Sequence, residues 1–323
     1  MAGAELLQAL RGAGRPRPAP VPGLDRRLRE ILEAGIGEEL ASLPAGVVVR
    51  ATKGTLEEVG RCEAGMVARL AARATMPASA EMVAGSLLDR VFALVVIGRP
   101  AADPVGAALE MADAEADTGL LASWSSLVPE ERALATQLVT EMAGSLAAHW
   151  PALPHQALPR LQEPLRVSLG GGRVLLTGRV DLLLGRPAAE RAGVTLIDTK
   201  SGHPRHQDRA DAWWYAVLET LRHRVPPFQV GSYYLRTGWL DLATVEADHL
   251  LAAAEDIARA LLQLVRLAAG ALPQLSPNPL CGWCPALPGC APGRAYSLER
   301  GDYLPPRDDD DDDGADDGDD DGR

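Results

Sequence analysis

Apolar residues recur at helical spacing through most of the first half of the chain. The pattern predicts helices over residues 24–43, 55–74 and 81–97, and an Ala- and Leu-rich helical stretch over 103–149. Thr55, with Glu58 three residues later, has the form of a capping box. Residues 1–23, rich in Pro, Gly and Arg, read as a flexible arm, and 44–49 as a short extended lead-in.

The period changes after Pro164. Runs over 165–169, 173–184 and 194–199 are β-rich, and the three glycines at 170–172 make a hairpin turn between the first two. A helix is predicted over 206–224, a strand over 229–236 with a turn at 237–238, and a long amphipathic helix over 247–269. From residue 81 onward the order is α, β, β, β, α, β, α, with a helical insertion, about 103–163, before the strands. This is a mixed α/β chain without an internal repeat.

Composition changes the picture in three places. The 323 residues are 47% hydrophobic and 24% charged, which suits one large domain or two. No apolar run is long enough to span a bilayer, and the N-terminal apolar stretch is too short and interrupted for a signal peptide; no membrane partner and a cytoplasmic, reducing location are the expectation. The net charge of −12 argues at first against a nucleic-acid partner. Residues 308–323, however, hold eleven Asp and one Arg, a charge of −10, which leaves only −2 for the rest; residues 301–323 read as a disordered tail. Finally, only two of the 32 basic residues are lysines, Lys53 and Lys200. A lysine kept against such a bias is a candidate for a role that needs a compact ammonium.

Asp198-Thr199-Lys200 ends a buried-looking strand, VTLIDTK. Residues two apart on a strand face the same side, about 6–7 Å apart at their Cα atoms, so Asp198 and Lys200 share one site. Asp181, on the preceding strand, is placed to come alongside Asp198. Paired carboxylates suit a hard divalent ion such as Mg²⁺ or Mn²⁺, and a nearby lysine suits a water-orienting cation in phosphoryl chemistry. The plain alternative is a surface ion pair at a strand end.

Gly178-Arg179-Val180-Asp181 on one strand and Leu196-Ile197-Asp198-Thr199-Lys200-Ser201-Gly202 at the end of the next resemble the PD-(D/E)XK nuclease superfamily, in particular its RecB-like branch. The resemblance implies a restriction-endonuclease-like α/β core, αβββαβ, with a mixed sheet flanked by helices. It implies metal ligation by Asp181, Asp198 and the Thr199 carbonyl, and a water positioned by Lys200. The branch's Gln-x-x-x-Tyr helix motif aligns with Asp211 and Tyr215, Asp replacing Gln. Its G-x-x-x-His motif aligns with Gly85 and Asp89, Asp replacing the metal-binding His, with Glu81 a weaker alternate. The plain readings are helix packing for Trp213, Trp214 and Tyr215 and a solvent-facing Asp89.

Cys281, Cys284 and Cys290 give C-x2-C-x5-C in a Pro- and Gly-rich stretch, and Cys62 stands alone far upstream. By spacing alone the cluster fits zinc as well as iron; a reducing location disfavours disulfides. The one-plus-three arrangement bracketing residues 181–215 resembles the iron–sulfur RecB-like nucleases, such as the Cas4 proteins and the nuclease domain of AddB. That resemblance implies a [4Fe–4S] cluster held by Cys62, Cys281, Cys284 and Cys290 that staples the ends of the domain. The six His show no ligand-like spacing with the Cys; His203 and His206 follow the D-x-K strand closely enough to meet a substrate.

The expectation is therefore one nuclease-like domain over 24–300, acting on DNA, single-stranded or at ends. No Walker loop is present, so a helicase or a recombination or adaptation partner would be a separate chain. A degenerate, DNA-binding version of the fold and a zinc-stapled interaction protein are the alternatives.

Overall fold

The computed structural model of the 323-residue chain describes residues 3–72, 78–187 and 192–301. The expected acidic tail, 308–323, lies outside the described residues, as does the end of the helix expected over 55–74. The described helices are α1 (Gly3–Leu10), α2 (Leu24–Ala34), α3 (Gly37–Ser42), α4 (Lys53–Arg61), α5 (Glu63–Ala72), α6 (Ala80–Val96), α7 (Pro104–Ala114), α8 (Thr118–Ser126), α9 (Pro129–His149), α10 (His206–His223), α11 (Ala247–Ala268) and α12 (Ala291–Glu299). The strands are β1 (Val49–Ala51), β2 (Arg160–Leu169), β3 (Val174–Leu184), β4 (Thr195–Lys200), β5 (Gln229–Tyr234) and β6 (Trp239–Thr244).

The six strands form one mixed sheet, in the order β1, β3, β4, β5, β6, with β2 also paired to β3. β2, β3 and β4 make the expected antiparallel meander, β4 and β5 run parallel, and β6 returns antiparallel as a hairpin from β5. Side chains alternate across the pleat, and both faces are covered. Leu183, Leu196 and Val230 face a core built with α2, α4, α10 and α11. Leu182, Ile197 and Tyr233 face a second core built with α1, α6, α7 and α9. Burial on both faces is why β4 reads as a nearly unbroken apolar run. The expected insertion is thus the far helical layer of the second core.

β3 is shared in a way that opens the sheet. Its first residues, Val174 to Leu176, pair with β1, and its last, Leu182 to Leu184, pair with β4. The β3–β4 ladder begins at Leu182 and Ile197, so Asp181 on one strand and Asp198 to Lys200 on the other lie just past the fork.

Four local expectations are corrected, and one strand is added. Residues 1–23 are not simply an arm: 3–10 form α1, because Leu6 and Leu10 at helical spacing are buried in the second core. The segment is tied down further by Thr195 Oγ1 donating to the Leu10 carbonyl and Arg17 donating to the Ala192 carbonyl at 2.8 Å. Gly12 follows with φ +64, and a Cβ there would lie 2.0 Å from the Phe228 ring. Residues 24–43 divide into α2 and α3 at Gly35. The helix expected from Thr55 starts at Lys53, with Thr52 as its N-cap and Thr55 its third residue, and it breaks at Cys62, which is extended. The stretch 103–149 is three helices, the first capped by Asp103 ahead of Pro104. β6 is an additional strand whose side chains are mostly half-buried, an edge pattern with weak alternation.

One buried carboxyl, Glu219, has among the described residues only an imidazole near it, His223 Nε2 at 3.6 Å from its Oε1. Glu219 on α10 is 1% exposed and neither carboxyl oxygen has a hydrogen-bond partner. Burial pushes its pKa up to about 7, only partly offset by Arg222 and Arg160.

Two outcomes follow. Leu6→Ala should cost about 2–5 kcal/mol in urea unfolding, as for a core leucine; a loose arm would show no change. Because the Glu219 pKa is raised on folding, its protonated form favours the fold: that contribution is full below about pH 4.5 and is lost as pH rises through about 7. Glu219→Gln should therefore raise Tm over wild type at pH 8 and barely alter it near pH 4.

Candidate active site

The fork between β3 and β4 gathers the polar side chains. Asp181 Oδ2 accepts from the Thr199 backbone N–H at 2.6 Å and from Thr199 Oγ1 at 2.8 Å, and Oδ1 accepts from Gln162 at 3.1 Å. The Thr199 amide, freed where the strands separate, thus finds a side chain instead of a backbone carbonyl. Asp181 is so enclosed that burial, and then the Asp198 charge, push its pKa up to about 6 despite these hydrogen bonds. Asp89 reaches the same place from α6: burial first, then Asp181 and Asp198, push it up to about 7. It is not the solvent-facing helical Asp of the plain reading. Glu81, by contrast, is exposed and bonds only to its own helix start.

Lys200 sits among carboxylates. Its Nζ is 2.9 Å from Asp198, 2.5 Å from Asp211 and 3.6 Å from Asp208. Asp208 is itself fixed by the Arg205 backbone N–H and the Tyr234 hydroxyl, both at 2.8 Å. Burial works against the charged ammonium, but Asp198 and the other carboxylates outweigh it and hold the Lys200 pKa above its ordinary value. Lys200 is therefore a cation and a donor at neutral pH, not a base.

The second lysine completes the cluster. Lys53, the first residue of α4, donates to both oxygens of Asp198 at 3.1 Å and stands 3.4 Å from Asp211. It also lies over the Tyr215 ring, 5.1 Å from the centroid. Burial lowers its pKa, but Asp198 and Asp211 more than offset that and leave it raised. No motif marks Lys53; the only signal is composition, since both lysines of the chain converge on the same two aspartates. The aspartate at 211, which departs from the expected Gln, bridges both cations.

Tyr215 is buried, hydrogen-bonds Asp198, and has its hydroxyl pKa raised by burial and by Asp198 and Asp181. The backbone of Gly178 passes directly beneath this ring. A Cβ there would lie 3.0 Å from Tyr215 Cε1 and 3.2 Å from Trp214 Nε1, a tight fit that favours glycine three residues before Asp181. Trp214 is packed in the core, whereas Trp213 is only half-buried. His203 is exposed, and no contact joins it to the cluster; His206 is exposed at the start of α10.

The cysteines assemble on the opposite end of α4. Cys62, Cys281, Cys284 and Cys290 line one small cavity of about 30 Å³, and all four are free. Three sulfurs accept backbone N–H groups: Cys62 from Gly65, Cys281 from Asn278 and Cys290 from Gly293, at 3.3–3.4 Å. The remote Cys62 is brought in because residues 63–64 are strapped to Gln274, whose amide donates to Glu63 at 2.9 Å. Among the described residues, no three or more His, Cys, Asp and Glu side chains stand ready-made around a metal position. At the fork the reason is visible: Asp198 faces two ammonium groups and Asp181 faces Thr199.

A mixed sheet whose parted strands present buried aspartates to lysine is the architecture of a phosphodiester-cutting enzyme class. The chain matches the model of the PD-(D/E)XK nuclease superfamily over residues 51–291, and it belongs to that superfamily. Among curated proteins, none matches. The matched span runs from the end of β1 to the start of α12 and so includes both lysines, all the aspartates above and all four cysteines.

Lys53→Met should destabilise the protein by about 1–3 kcal/mol, since it leaves buried carboxylates short of a counter-charge. Lys53→Met with Asp211→Asn should cost clearly less than the two single changes added together, in urea unfolding of all four proteins. Strictly additive costs would show that the two side chains do not interact.

Proposed function

We propose that this chain is a Mg²⁺- or Mn²⁺-dependent DNA nuclease of the RecB-like branch, of exonuclease type on single-stranded DNA or DNA ends, with a [4Fe–4S] cluster as a structural staple. Repair, recombination or foreign-DNA processing is the corresponding setting. The observation that carries the reading is the cluster at the fork, where Asp89, Asp181 and Asp198 are brought together beside Lys200, and burial first and their mutual repulsion second lift two carboxyl pKa values toward neutrality.

Such crowding suits a cation. The donors are hard oxygens, which match Mg²⁺ and Mn²⁺, and a divalent ion would relieve the repulsion that otherwise favours protonation. Asp89, Asp181 and Asp198 would hold it, with the Thr199 carbonyl. When bound, the ion supplies Lewis-acid stabilisation of a phosphate oxygen and a more acidic water. The chain's own groups do the rest. Lys200, held cationic by its carboxylates, donates to the attacking water or a phosphate oxygen and offsets developing negative charge. Asp211 and Asp208 aim that ammonium. Lys53 adds a second positive charge on the side of Asp198 and Tyr215.

The cysteine cavity supports the cluster reading in its donor set and in its backbone N–H groups directed at sulfur, an arrangement that stabilises thiolates. A cluster there would tie α4 and α5 to the segment before α12 and so close the loop that carries the site.

Anaerobic purification, metal analysis and a nuclease assay on one sample test the reading. A brown protein containing iron and sulfide in equal amounts is expected. With Mg²⁺ or Mn²⁺ it should cut single-stranded DNA, and Lys200→Ala and Asp198→Ala should each lower the rate by about 10²-fold or more. A colourless protein with stoichiometric zinc overturns the cluster; an intact protein that binds DNA and never cuts it overturns the enzyme and leaves a binding module.

A further inference from the structure

We propose that the cavity beside the carboxylate–lysine cluster holds one unstacked base of the substrate strand, so that the site takes single-stranded rather than paired DNA. The identity of the strand rests on the nuclease reading above; the pocket and its fit to a base rest on the structure of the cavity.

The cavity has a volume of about 420 Å³ and lies between α4, α10 and α11. That is within the range of about 300–1,000 Å³ typical of small-molecule sites. It is large enough for a base with its sugar. Lys53 and Asp211 are among its lining residues, and both meet Asp198 or Lys200 directly. A group seated in the cavity is therefore next to the cations that would hold its phosphate.

The walls fit a flat, mostly apolar ligand. Trp213, Ala253 and Ile257 line them. Trp213 projects from the same helix turn as the core residues Trp214 and Tyr215, yet it is half-buried, and its ring stacks on His249 of α11 with centroids 4.9 Å apart and planes 25° apart. Aromatic rings set in this way offer the kind of face on which bases stack regardless of sequence. Charges of both signs, Glu57 and Asp256 with Arg209, line the rest of the cavity, so the aromatic and apolar wall takes the base and the backbone is assigned to the lysines. A base within a duplex would first have to be unpaired and turned out, at a cost.

The test measures binding to the full chain by fluorescence anisotropy in EDTA, with a labelled oligothymidylate, a fully abasic strand of the same length and a blunt duplex. Trp213→Ala removes the stacking face, Ala253→Trp fills the cavity, and His249→Ala changes an exposed residue in case either of the others fails to fold. Oligothymidylate should bind wild type about tenfold more tightly than the abasic strand. Trp213→Ala and Ala253→Trp should abolish most of that difference, His249→Ala part of it, and none should alter duplex affinity. Equal binding of the thymidylate and abasic strands by wild type overturns the pocket, as does equal weakening of single strand and duplex by the variants. Cleavage of the same DNAs with Mn²⁺ reports on the nuclease reading separately. If wild type cuts nothing but keeps its base-dependent binding, the pocket stands and the enzyme falls; if it cuts but binds without regard to bases, the reverse holds.

Discussion

Burial of carboxylates, sharpened by their mutual repulsion, is the constraint that the centre of this structure is arranged around. Asp89, Asp181 and Asp198 come from α6, β3 and β4 and share one low-dielectric notch, which raises the first two carboxyl pKa values to about 7 and 6. Lys53 and Lys200 answer that charge from two directions, and Asp211 ties the two ammonium groups together. The members arrive on five segments, Asp198 and Lys200 together on β4 and the others on α4, α6, β3 and α10. The cluster can exist only if the sheet and the helices over it are correctly assembled, so the site is a sensitive reporter of the fold that bears it.

The sheet supplies the room. Wherever backbone ladders run unbroken, strand ends leave no space for side chains to enter between them. Here β3 gives one stretch of its edge to β1 and another to β4, and Asp181 falls where the second pairing has not begun. The Asp181 carboxylate then takes the Thr199 amide at 2.6 Å. A hydrogen bond that would otherwise stabilise the sheet is used to orient the Asp181 carboxylate, and the two apolar cores on either side of the sheet hold the fork in place.

Much of this was legible in the order of residues, and what was not has a physical cause. Asp181, Asp198 and Lys200 announce themselves because strand alternation ties spacing to facing direction. Tyr215 and Asp211 were pointed to by the resemblance to the Gln-x-x-x-Tyr motif, and residues four apart share a helix face. Lys53 is 145 residues from its partner Asp198 and belongs to no local pattern, so only the rarity of lysine pointed toward it. α1 was hidden because Pro and Gly just after it dominate the composition of the first 23 residues, while the burial of Leu6 depends on a core that the distant strands and helices complete. β6 was hidden because an edge strand needs only one good neighbour and alternates weakly. The grouping of Cys62 with the later cysteines was anticipated from resemblance, and the strap between Glu63 and Gln274 is the local interaction that brings the two segments together.

α4 has Lys53 as its first residue and Cys62 immediately after its last. An α-helix rises about 1.5 Å per residue and resists bending, so these nine residues act as a short strut with a cation at one end and a sulfur at the other. One short helix thus has the carboxylate notch at its first residue and, across an extended Cys62 at its C-cap, the thiol cavity at its other end.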